Sequence, residues 1–312
     1  TMIITIVTET YLPDVNGVAM TLEKLVSGLS KHGHKLQLVC TANSGSSIDL
    51  PRGVSYHPVK GIPIPGYSEA RFGLPSRSIL KQLWTEENPD VIYVATEGPL
   101  GWSAIQLARK MNILAISGFH TNFHSYSRHY GVGLVERIVK KYLVALHNKS
   151  VLTLTPTPGQ KNKLNVMGIK DVAVLSRGVD TNLFSPEKRS LGLRLSWGAS
   201  YDHEPVLLYV GRIAAEKNMD LAIKTYRAMY RRDNNLKFVL VGDGPLLCKL
   251  RQENPEFIFA GMQTGESLAK YYASSDIFIF PSITETFGNV VLEAMASGLG
   301  VVAYDYAAAN MH

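Results

Sequence analysis

Residues 281–304, PSITETFGNVVLEAMASGLGVVAY, contain one complete connection between two strands of an α/β domain. An apolar run leads into this stretch as a buried strand, and a polar loop carrying Glu285 follows it. Residues 287–289, Phe-Gly-Asn, then open a helix that contains Glu293, and residues 301–304 return to the pattern of a buried strand. Such a succession favours a parallel sheet with crossover helices.

The same alternation extends outward over the whole chain. Helical patterns such as 20–32 and 103–111 lie between apolar runs of strand length, which are near-continuous in Val, Ile and Leu, as in strands buried on both faces. The predicted strands are 3–8, 36–41, 54–58, 91–94, 113–117, 151–155, 172–175, 206–210, 237–241, 257–260, 277–280 and 301–304.

The alternation is interrupted once, and the interruption predicts how the chain is divided. Residues 177–205 lose the pattern and carry Gly, Pro and Ser, as a linker does. We predict two doubly wound α/β domains, 1–176 and 206–312, joined by a linker over 177–205. Because the chain stops shortly after the fifth strand of the second domain, we expect its C-terminal end to be truncated.

Composition excludes several classes of protein. With 312 residues, 46% of them hydrophobic and 19% charged, the chain can form sizeable cores. Two cysteines do not make a disulfide framework, and the N-terminal residues lack the features of a signal peptide. No apolar run reaches the length of a spanning helix. These features predict a soluble cytoplasmic protein that contacts at most a membrane surface.

The two glutamates of the opening stretch suit a sugar diphosphate. Seven residues separate Glu285 from Glu293, a spacing of about 12 Å along a helix. Carboxylates accept hydrogen bonds from sugar and ribose hydroxyls, and backbone N–H groups at residues 288–290 would face a phosphate between them. The alternative is a surface helix with two solvated glutamates.

A second motif lies just after the strand that opens the second domain. Gly211 allows the chain to turn, and Arg212 and Lys217 follow five residues apart. A guanidinium and an ammonium together suit a diphosphate, and no cluster of carboxylates with metal-ligand spacing accompanies them. The alternative is a pair of surface cations at a helix start, where the helix dipole disfavours positive charge.

The first domain carries two further candidates after its strands. The turn Asn16-Gly17 precedes a helix, and glycine permits close approach of the backbone to a phosphate. Residues 118–131, GFHTNFHSYSRHYG, hold three histidines and four aromatic residues, including His120 and Tyr126. Without an acidic ligand beside them, these histidines favour sugar binding over a metal site.

The helical pattern that follows is basic as well as amphipathic. Residues 134–148 combine an apolar stripe with Arg137, Lys140 and Lys141, and residues 1–176 carry 18 Lys and Arg against 11 Asp and Glu. Such a helix can lie on anionic lipid, or it can present its apolar side to the core and its cations to water. Both interpretations remain open at this point.

Taken together, these motifs resemble the retaining family-4 glycosyltransferases. The resemblance covers essentially the whole chain and implies the GT-B architecture of two facing Rossmann-like domains. Residues 119–131 and 176–184 look like the branch that includes GDP-mannose-dependent α-mannosyltransferases and lipid glycosyltransferases. Many relatives carry Asn where Arg177 stands, which makes that position a trait of the branch rather than a general donor contact.

The resemblance also implies the role of each site residue. Arg212 and Lys217 would hold the diphosphate, Glu285 the donor sugar and Glu293 the ribose, with backbone beside Met262 receiving the base and no metal or other cofactor. The implied catalytic residues are His120, Arg212, Lys217 and Glu285. The implied donor-binding residues are Gly17, Gly211, Arg212, Lys217, Met262, Glu285, Phe287, Gly288, Asn289, Val290 and Glu293. The candidates for acceptor contacts are Asn16, Tyr67, Arg71 and Tyr126.

The predicted function is therefore transfer of a hexose, with mannose favoured, from a GDP- or UDP-linked donor to a lipid or glycan acceptor. An epimerase or hydrolase acting on sugar nucleotides and a non-catalytic binding fragment are the alternatives. A nicotinamide-dependent oxidoreductase is disfavoured, because the first turn lacks the dinucleotide glycine pattern. Nucleic-acid binding is not expected, since the basic residues form no long stripe.

Overall fold

The computed structural model describes most of the chain as two compact units. The described residues are 1–14, 16–41, 49–64, 67–120, 134–200, 204–282, 285 and 287–311, with the backbone alone at 64, 67–70, 134 and 135. Unit 1 comprises Thr1–Ser176, and unit 2 comprises Arg177–His312.

Unit 1 contains a seven-stranded sheet in which all neighbouring strands are parallel, in the order β3-β2-β1-β6-β7-β8-β9. β1, beside the middle of the sheet, is buried along nearly its whole length, as expected for a sheet covered by helices on both faces. The strands are β1 (Ile3–Thr8), β2 (Lys35–Thr41), β3 (Val54–Val59), β6 (Val91–Val94), β7 (Leu114–Gly118), β8 (Leu152–Thr155) and β9 (Val172–Val174).

The alternation of side chains along β1 builds a separate core on each face of this sheet. Ile6 packs with Leu22 on one face, and Val7 packs with Trp84 on the other. The indole Nε1 of Trp84 donates a hydrogen bond to Thr5 Oγ1 at 3.1 Å, so the buried polar atom has a partner. The helices are α1 (Gly17–Lys31), α2 (Arg77–Glu86), α3 (Pro99–Lys110), α4 (Leu134–His147) and α5 (Pro158–Met167).

A short antiparallel hairpin, β4 (Gly61–Ile64) and β5 (Tyr67–Gly73), forms a separate two-stranded sheet. Its two end glycines pack tightly. A Cβ on Gly61 would lie 3.0 Å from the side chain of Thr41, and one on Gly73 would lie 2.7 Å from that of Leu100. The close packing fixes where the hairpin leaves the carboxyl edge of the sheet.

Unit 2 contains a five-stranded, fully parallel sheet in the order β12-β11-β10-β13-β14. Leu207 and Tyr209 of its central strand face one core, whereas Val206, Leu208 and Val210 face the other. Its elements are α6 (Leu191–Ser196), β10 (Val206–Val210), α7 (Met219–Tyr230), β11 (Lys237–Val241), α8 (Leu247–Glu253), β12 (Ile258–Gly261), α9 (Gly265–Ala273), β13 (Ile277–Phe280), α10 (Asn289–Ala296) and β14 (Gly300–Ala303).

The segment predicted as a linker packs onto unit 2. Phe184 and Trp197 belong to the core of this unit. The side chain of Arg194 is fully buried, where its Nη1 lies 3.0 Å from Asp276 Oδ2 and donates to the carbonyl oxygen of Ser274 at 2.9 Å. Arg189 forms a second ion pair with the same aspartate at 3.1 Å. These contacts make the segment part of the second unit.

Candidate active site

Two loops of unit 2 meet where the order of its strands reverses. β10 pairs with β11 on one side and with β13 on the other, so the loops that follow β10 and β13 leave the same carboxyl edge side by side. This switch point is where ligands bind in doubly wound sheets. The first of these loops carries Arg212 and Lys217, and the second carries Glu285.

An ion pair between Lys217 Nζ and Glu285 Oε1 joins the two loops. Both side chains are about four-fifths buried, with 20% and 19% exposed. Ser282 Oγ donates to the same glutamate oxygen at 3.0 Å. Asn218, which adopts a left-handed conformation with φ 56°, donates from Nδ2 to the carbonyl oxygen of Pro281 at 3.4 Å. The predicted cation and the predicted sugar-binding carboxylate are thus brought into contact.

Arg212 lies on the same loop but has a different partner. Its Nη1 is 3.4 Å from Glu216 Oε1, and its side chain is 49% exposed. The backbone beneath it is fixed, because the hydroxyl of the buried Tyr209 donates to the carbonyl oxygen of Arg212 at 2.8 Å. Burial, with the charges of Glu285 and Glu216, raises the pKa of Tyr209, which keeps the phenol a donor.

Glycines let the neighbouring loop pack directly against this one. Gly211 has φ +149° and Gly242 has φ +138°. A Cβ on Gly242 would collide with the carbonyl oxygen of Gly211. The loops after β10 and β11 therefore lie backbone to backbone, which leaves the opposite side of the first loop to face β13.

The turn at the start of α10 places further predicted residues at this switch point. Phe287 is buried, and Gly288 serves as the N-cap residue with φ +89° and no side-chain cap. A Cβ built on Gly288 would lie 3.8 Å from Glu285 Cγ, so the turn and the carboxylate are adjacent. Val290 follows Asn289 in the first turn of the helix.

Arg177 contacts this turn, although it was not among the predicted site residues. Its guanidinium lies 5.6 Å from the centre of the Phe287 ring, and Nη1 donates to Asn289 Oδ1 at 3.3 Å. The two positions are 112 residues apart along the chain. Only their pairing in space, which a single sequence does not reveal, brings Arg177 to the site.

Glu293 lies inside the unit rather than on an exposed helix face. It is 7% exposed, and its Oε2 accepts a hydrogen bond from the hydroxyl of the fully buried Tyr272 at 2.9 Å. Burial raises the pKa of Glu293, while the bond from Tyr272 acts in the opposite direction. Met262, 56% exposed, follows β12 at the same carboxyl edge, two strands from β10.

Unit 1 has its own switch point, between β1 and β6, and Glu9 occupies it. Glu9 Oε1 accepts hydrogen bonds from the backbone N–H groups of Gly73 at 3.1 Å and Leu100 at 3.4 Å. A Cβ on Gly98 would collide with both carboxylate oxygens, so the missing side chain makes room for the carboxylate at the start of α3. Glu9 thereby ties the hairpin to the first turn of that helix.

The environment of Glu9 changes its acidity. Burial raises the pKa of its carboxyl from 4.5 to about 7, and the charge of Glu97 acts in the same direction. The N–H groups of Leu100 and Gly73 act against this rise. Glu9 was not among the residues predicted for a site. The signal for it was its place directly after the first strand, but the pairing of β1 with β6 was needed to recognise a switch point.

The other predicted residues of unit 1 are already engaged in local structure. Asn16 caps α1, because its Oδ1 accepts from the backbone of Val18 at 3.1 Å and of Ala19 at 2.9 Å. Gly17 begins that helix. His120 Nε2 lies 2.7 Å from the hydroxyl of Tyr93, at the end of β7.

The candidates for acceptor contacts fall largely on the hairpin or outside the description. Arg71 lies in β5 opposite Pro63. For Tyr67 the structure describes only the backbone, which pairs with Ile64. Tyr126 lies outside the described residues, as does the rest of 121–133.

The basic helix α4 combines a buried side with a charged, partly apolar surface. Leu143 and Leu146 are buried in unit 1, whereas Ile138 is 57% exposed. Arg137, Lys140 and Lys141, together with Val144 and Met167, line a shallow cavity beside it. Within the described part of the chain, no helix is both long and apolar enough to cross a membrane. No group of three or more His, Cys, Asp or Glu residues in that part is arranged to hold a metal.

Family models match both parts of the chain. The model described as Glycosyltransferase Family 4 matches residues 15–183, and the model described as Glycosyl transferases group 1 matches residues 204–312. The chain is 32% identical over 306 residues to a GDP-mannose-dependent alpha-mannosyltransferase of Mycobacterium tuberculosis, covering 97% of this chain and 79% of that protein. It is 29% identical over 312 residues to an alpha-monoglucosyldiacylglycerol synthase of Streptococcus pneumoniae, covering 95% and 70%.

Solved structures share the fold. The sucrose-phosphate synthase of Thermosynechococcus elongatus superposes with a TM-score of 0.75 at 19% identity, covering 97% of this chain and 81% of that one. The predicted α/β fold of the GT-B class is confirmed. With sequence identity of this extent over nearly the whole chain, the protein belongs to glycosyltransferase family 4.

Proposed function

We propose that this glycosyltransferase moves a hexose, mannose first, from a nucleoside diphosphate donor to a hydroxyl group of a lipid or glycan, with retention of anomeric configuration. The observation that carries the proposal is the ion pair of Lys217 with Glu285 across the switch point of unit 2. GDP-mannose is the preferred donor because four of the relatives are named as GDP-mannose-dependent. UDP-glucose is the second candidate.

We infer from this ion pair that Lys217 and Glu285 separate when the donor binds and that each then contacts a different part of the donor. The diphosphate forms ion pairs with the ammonium of Lys217 and with the half-exposed guanidinium of Arg212. These two cations neutralise its negative charge, which is the part that a metal ion would otherwise play. Glu285, released from Lys217, then accepts hydrogen bonds from the hydroxyls of the donor sugar. As the glycosidic bond breaks, negative charge grows on the leaving diphosphate, and the two cations stabilise it.

The remaining parts of the donor follow the carboxyl edge of the same sheet. Glu293 receives the ribose through its Oε1, since its Oε2 is engaged by Tyr272. A hydroxyl donor on this carboxylate compensates for the burial that raises its pKa. Backbone at Gly261 and Met262 receives the base.

A thermal-shift screen with GDP-mannose, UDP-glucose and ADP-glucose tests the donor. We expect GDP-mannose to raise the unfolding temperature most, since ligands that bind only the folded state stabilise it. Calorimetry on Lys217→Ala should then show weaker binding of the same nucleotide sugar. Unchanged affinity in this variant would contradict the assignment of Lys217 to the diphosphate.

Glu285→Gln separates the sugar from the nucleotide. Because Glu285 is assigned to the sugar, we expect turnover to fall by about 10-fold or more while GDP binding stays the same or tightens. Transfer is measured with radiolabelled donor and two acceptors, diacylglycerol in vesicles and a soluble mannoside. Equal losses of affinity for GDP and GDP-mannose contradict the sugar assignment.

The acceptor side is proposed to meet a membrane through α4, at its cytoplasmic face. The exposed Ile138 lies among Arg137, Lys140 and Lys141, which suits insertion of an apolar side chain between anionic headgroups. Flotation with phosphatidylglycerol vesicles should recover the protein, whereas pure phosphatidylcholine should not. Arg137→Glu with Lys141→Glu should abolish recovery, while the same reversal at Lys224 and Lys270 of unit 2 serves as the control. Recovery that persists in the α4 variant contradicts the membrane contact.

A further inference from the structure

The side chain of Asn289 has one orientation that its neighbour permits. A guanidinium carries only hydrogen-bond donors, and Arg177 Nη1 lies 3.3 Å from the amide of Asn289. The amide atom that faces Arg177 must therefore be the oxygen, because an NH₂ group there would repel the guanidinium. The amide nitrogen of Asn289 consequently lies on the side away from Arg177.

Arg177 is itself held in the position from which it orients the amide of Asn289. Its guanidinium stacks over the ring of Phe287 at 5.6 Å, and that ring is only 1% exposed. A buried ring in the turn gives the guanidinium a rigid surface, and cation–π contact stabilises the arrangement. Arg177 is thus fixed against two residues of one turn, Phe287 and Asn289.

The turn as a whole then offers donors. Gly288 supplies no side-chain cap for α10, so the N–H groups of the first turn are directed out of the helix start. The NH₂ group of Asn289 adds to them, and the positive end of the helix dipole favours an anion at this place. Lys217 joins the cluster through Glu285, which is adjacent to Gly288.

We propose that Arg177 is a positioning residue that locks the amide of Asn289, so that its NH₂ group donates to an oxygen of the donor diphosphate. The proposal rests on the proposed nucleotide-sugar donor and adds a determinant that lies outside the motif residues assigned to it. A residue without donors at position 177 leaves the amide free to turn, and the site then presents a carbonyl oxygen to the phosphate part of the time.

Asn289→Asp is the decisive variant. The carboxylate keeps its contact with Arg177, and an acid at a helix start is favoured by the dipole, so the fold is retained. The same change replaces the NH₂ group by a second oxygen, which repels phosphate. We expect GDP to bind about 10- to 100-fold more weakly by calorimetry, the range for a hydrogen bond to a charged group. Asn235→Asp, the same charge change in the exposed loop before β11 at the opposite edge of the sheet, is the matched control and should bind as the wild type.

A double-mutant cycle tests whether Arg177 acts through Asn289. Arg177→Met keeps the apolar stem over Phe287 but removes the donors, and we expect about a 3- to 10-fold loss of GDP affinity. In the Asn289→Ala background the same change should have no further effect, since there is no amide to orient. Arg177→Lys, which restores a donor, should recover part of the affinity. Losses that simply add in the double variant overturn the positioning role.

The outcomes separate this inference from the function on which it rests. If the wild-type chain binds none of GDP, UDP, ADP or their sugar conjugates, the proposed function fails. If it binds one of them and Asn289→Asp binds that nucleotide within about twofold of wild type, the inference fails while the function stands. A loss confined to the sugar conjugate, with the free nucleoside diphosphate unaffected, overturns the assignment to the diphosphate.

Discussion

Replacing Glu9 by Gln should change how the stability of unit 1 depends on pH. Gln keeps an oxygen for the N–H groups of Gly73 and Leu100, but it carries no titrating proton. In the wild-type chain the folded state holds the Glu9 proton up to a pKa of about 7, against 4.5 for the ordinary carboxyl. Between these values the folded state binds more protons than the unfolded state, so stability from this group is present below 4.5 and lost as pH rises through 7.

The size of the effect follows from the two pKa values. Their difference at 1.36 kcal/mol per pH unit corresponds to about 3 kcal/mol of unfolding free energy. Glu9→Gln carries no titrating group at this position, so its unfolding free energy does not fall in this way as the pH rises. We therefore expect Glu9→Gln to gain about 3 kcal/mol relative to the wild type between pH 4.5 and pH 8.

Urea unfolding followed by tryptophan fluorescence measures this difference. In a Trp197→Phe background the remaining tryptophans, Trp84 and Trp102, both report on unit 1. Glu86→Gln, the same replacement at an exposed position of α2, is the control and should leave the pH dependence unchanged. If Glu9→Gln differs from wild type by less than about 0.5 kcal/mol across this pH range, the buried carboxyl does not titrate as argued.

Four further variants probe the packing of unit 2 by thermal or urea unfolding. Gly242→Ala should cost about 1–3 kcal/mol of unfolding free energy, since φ is +138° and a Cβ would meet the backbone of Gly211. Gly265→Ala, at φ +53° with no atom close to the added Cβ, is the control and should cost about 1 kcal/mol. Equal costs contradict the close approach of Gly242 to Gly211. Arg194→Met removes one partner of a buried ion pair and should cost about 3–5 kcal/mol, and a neutral result would show that the pair contributes nothing. Tyr272→Phe deletes the bond that lowers the pKa of Glu293, so it should destabilise the protein by about 1–3 kcal/mol, more at pH 8 than at pH 5; a loss independent of pH would contradict this linkage.

Much of the fold could be predicted because buried parallel strands leave a simple record in sequence. β1, β6, β10, β11 and β13 have the predicted bounds, and the strands at 114–118, 258–261 and 300–303 differ from prediction by one residue at each end. The hairpin at 61–73 escaped prediction as strands because its antiparallel pair is short and because apolar residues such as Ile62 and Phe72 are exposed, so they form no buried run. The interpretation of 177–205 as a linker did not predict that this segment packs onto unit 2. Its apolar residues, such as Phe184 and Trp197, are scattered and show no helical or strand period.

The site was predictable only where its residues lie in one contiguous motif. Residues 211–217 and 285–293 follow strands directly, so their place at the carboxyl edge could be derived from chain order alone. Glu9 and Arg177 depend on which strand pairs with which and on contacts between distant segments. For Glu293, the helical pattern did not reveal that Tyr272 of the neighbouring helix would cover it. Such information is held in tertiary packing, not in local pattern.

The anchoring of residues 177–200 on unit 2 has a practical consequence for expressing that unit by itself. A fragment chosen from the strand pattern would begin at Val206 and would lack Arg194 and Arg189, leaving Asp276 without its two ion-pair partners. It would also expose the apolar cavities that Phe184 and Trp197 fill. A fragment designed for calorimetry or crystallisation should start at Arg177, and a comparison of the two fragments by circular dichroism would show how much folding depends on those 29 additional residues, 177–205.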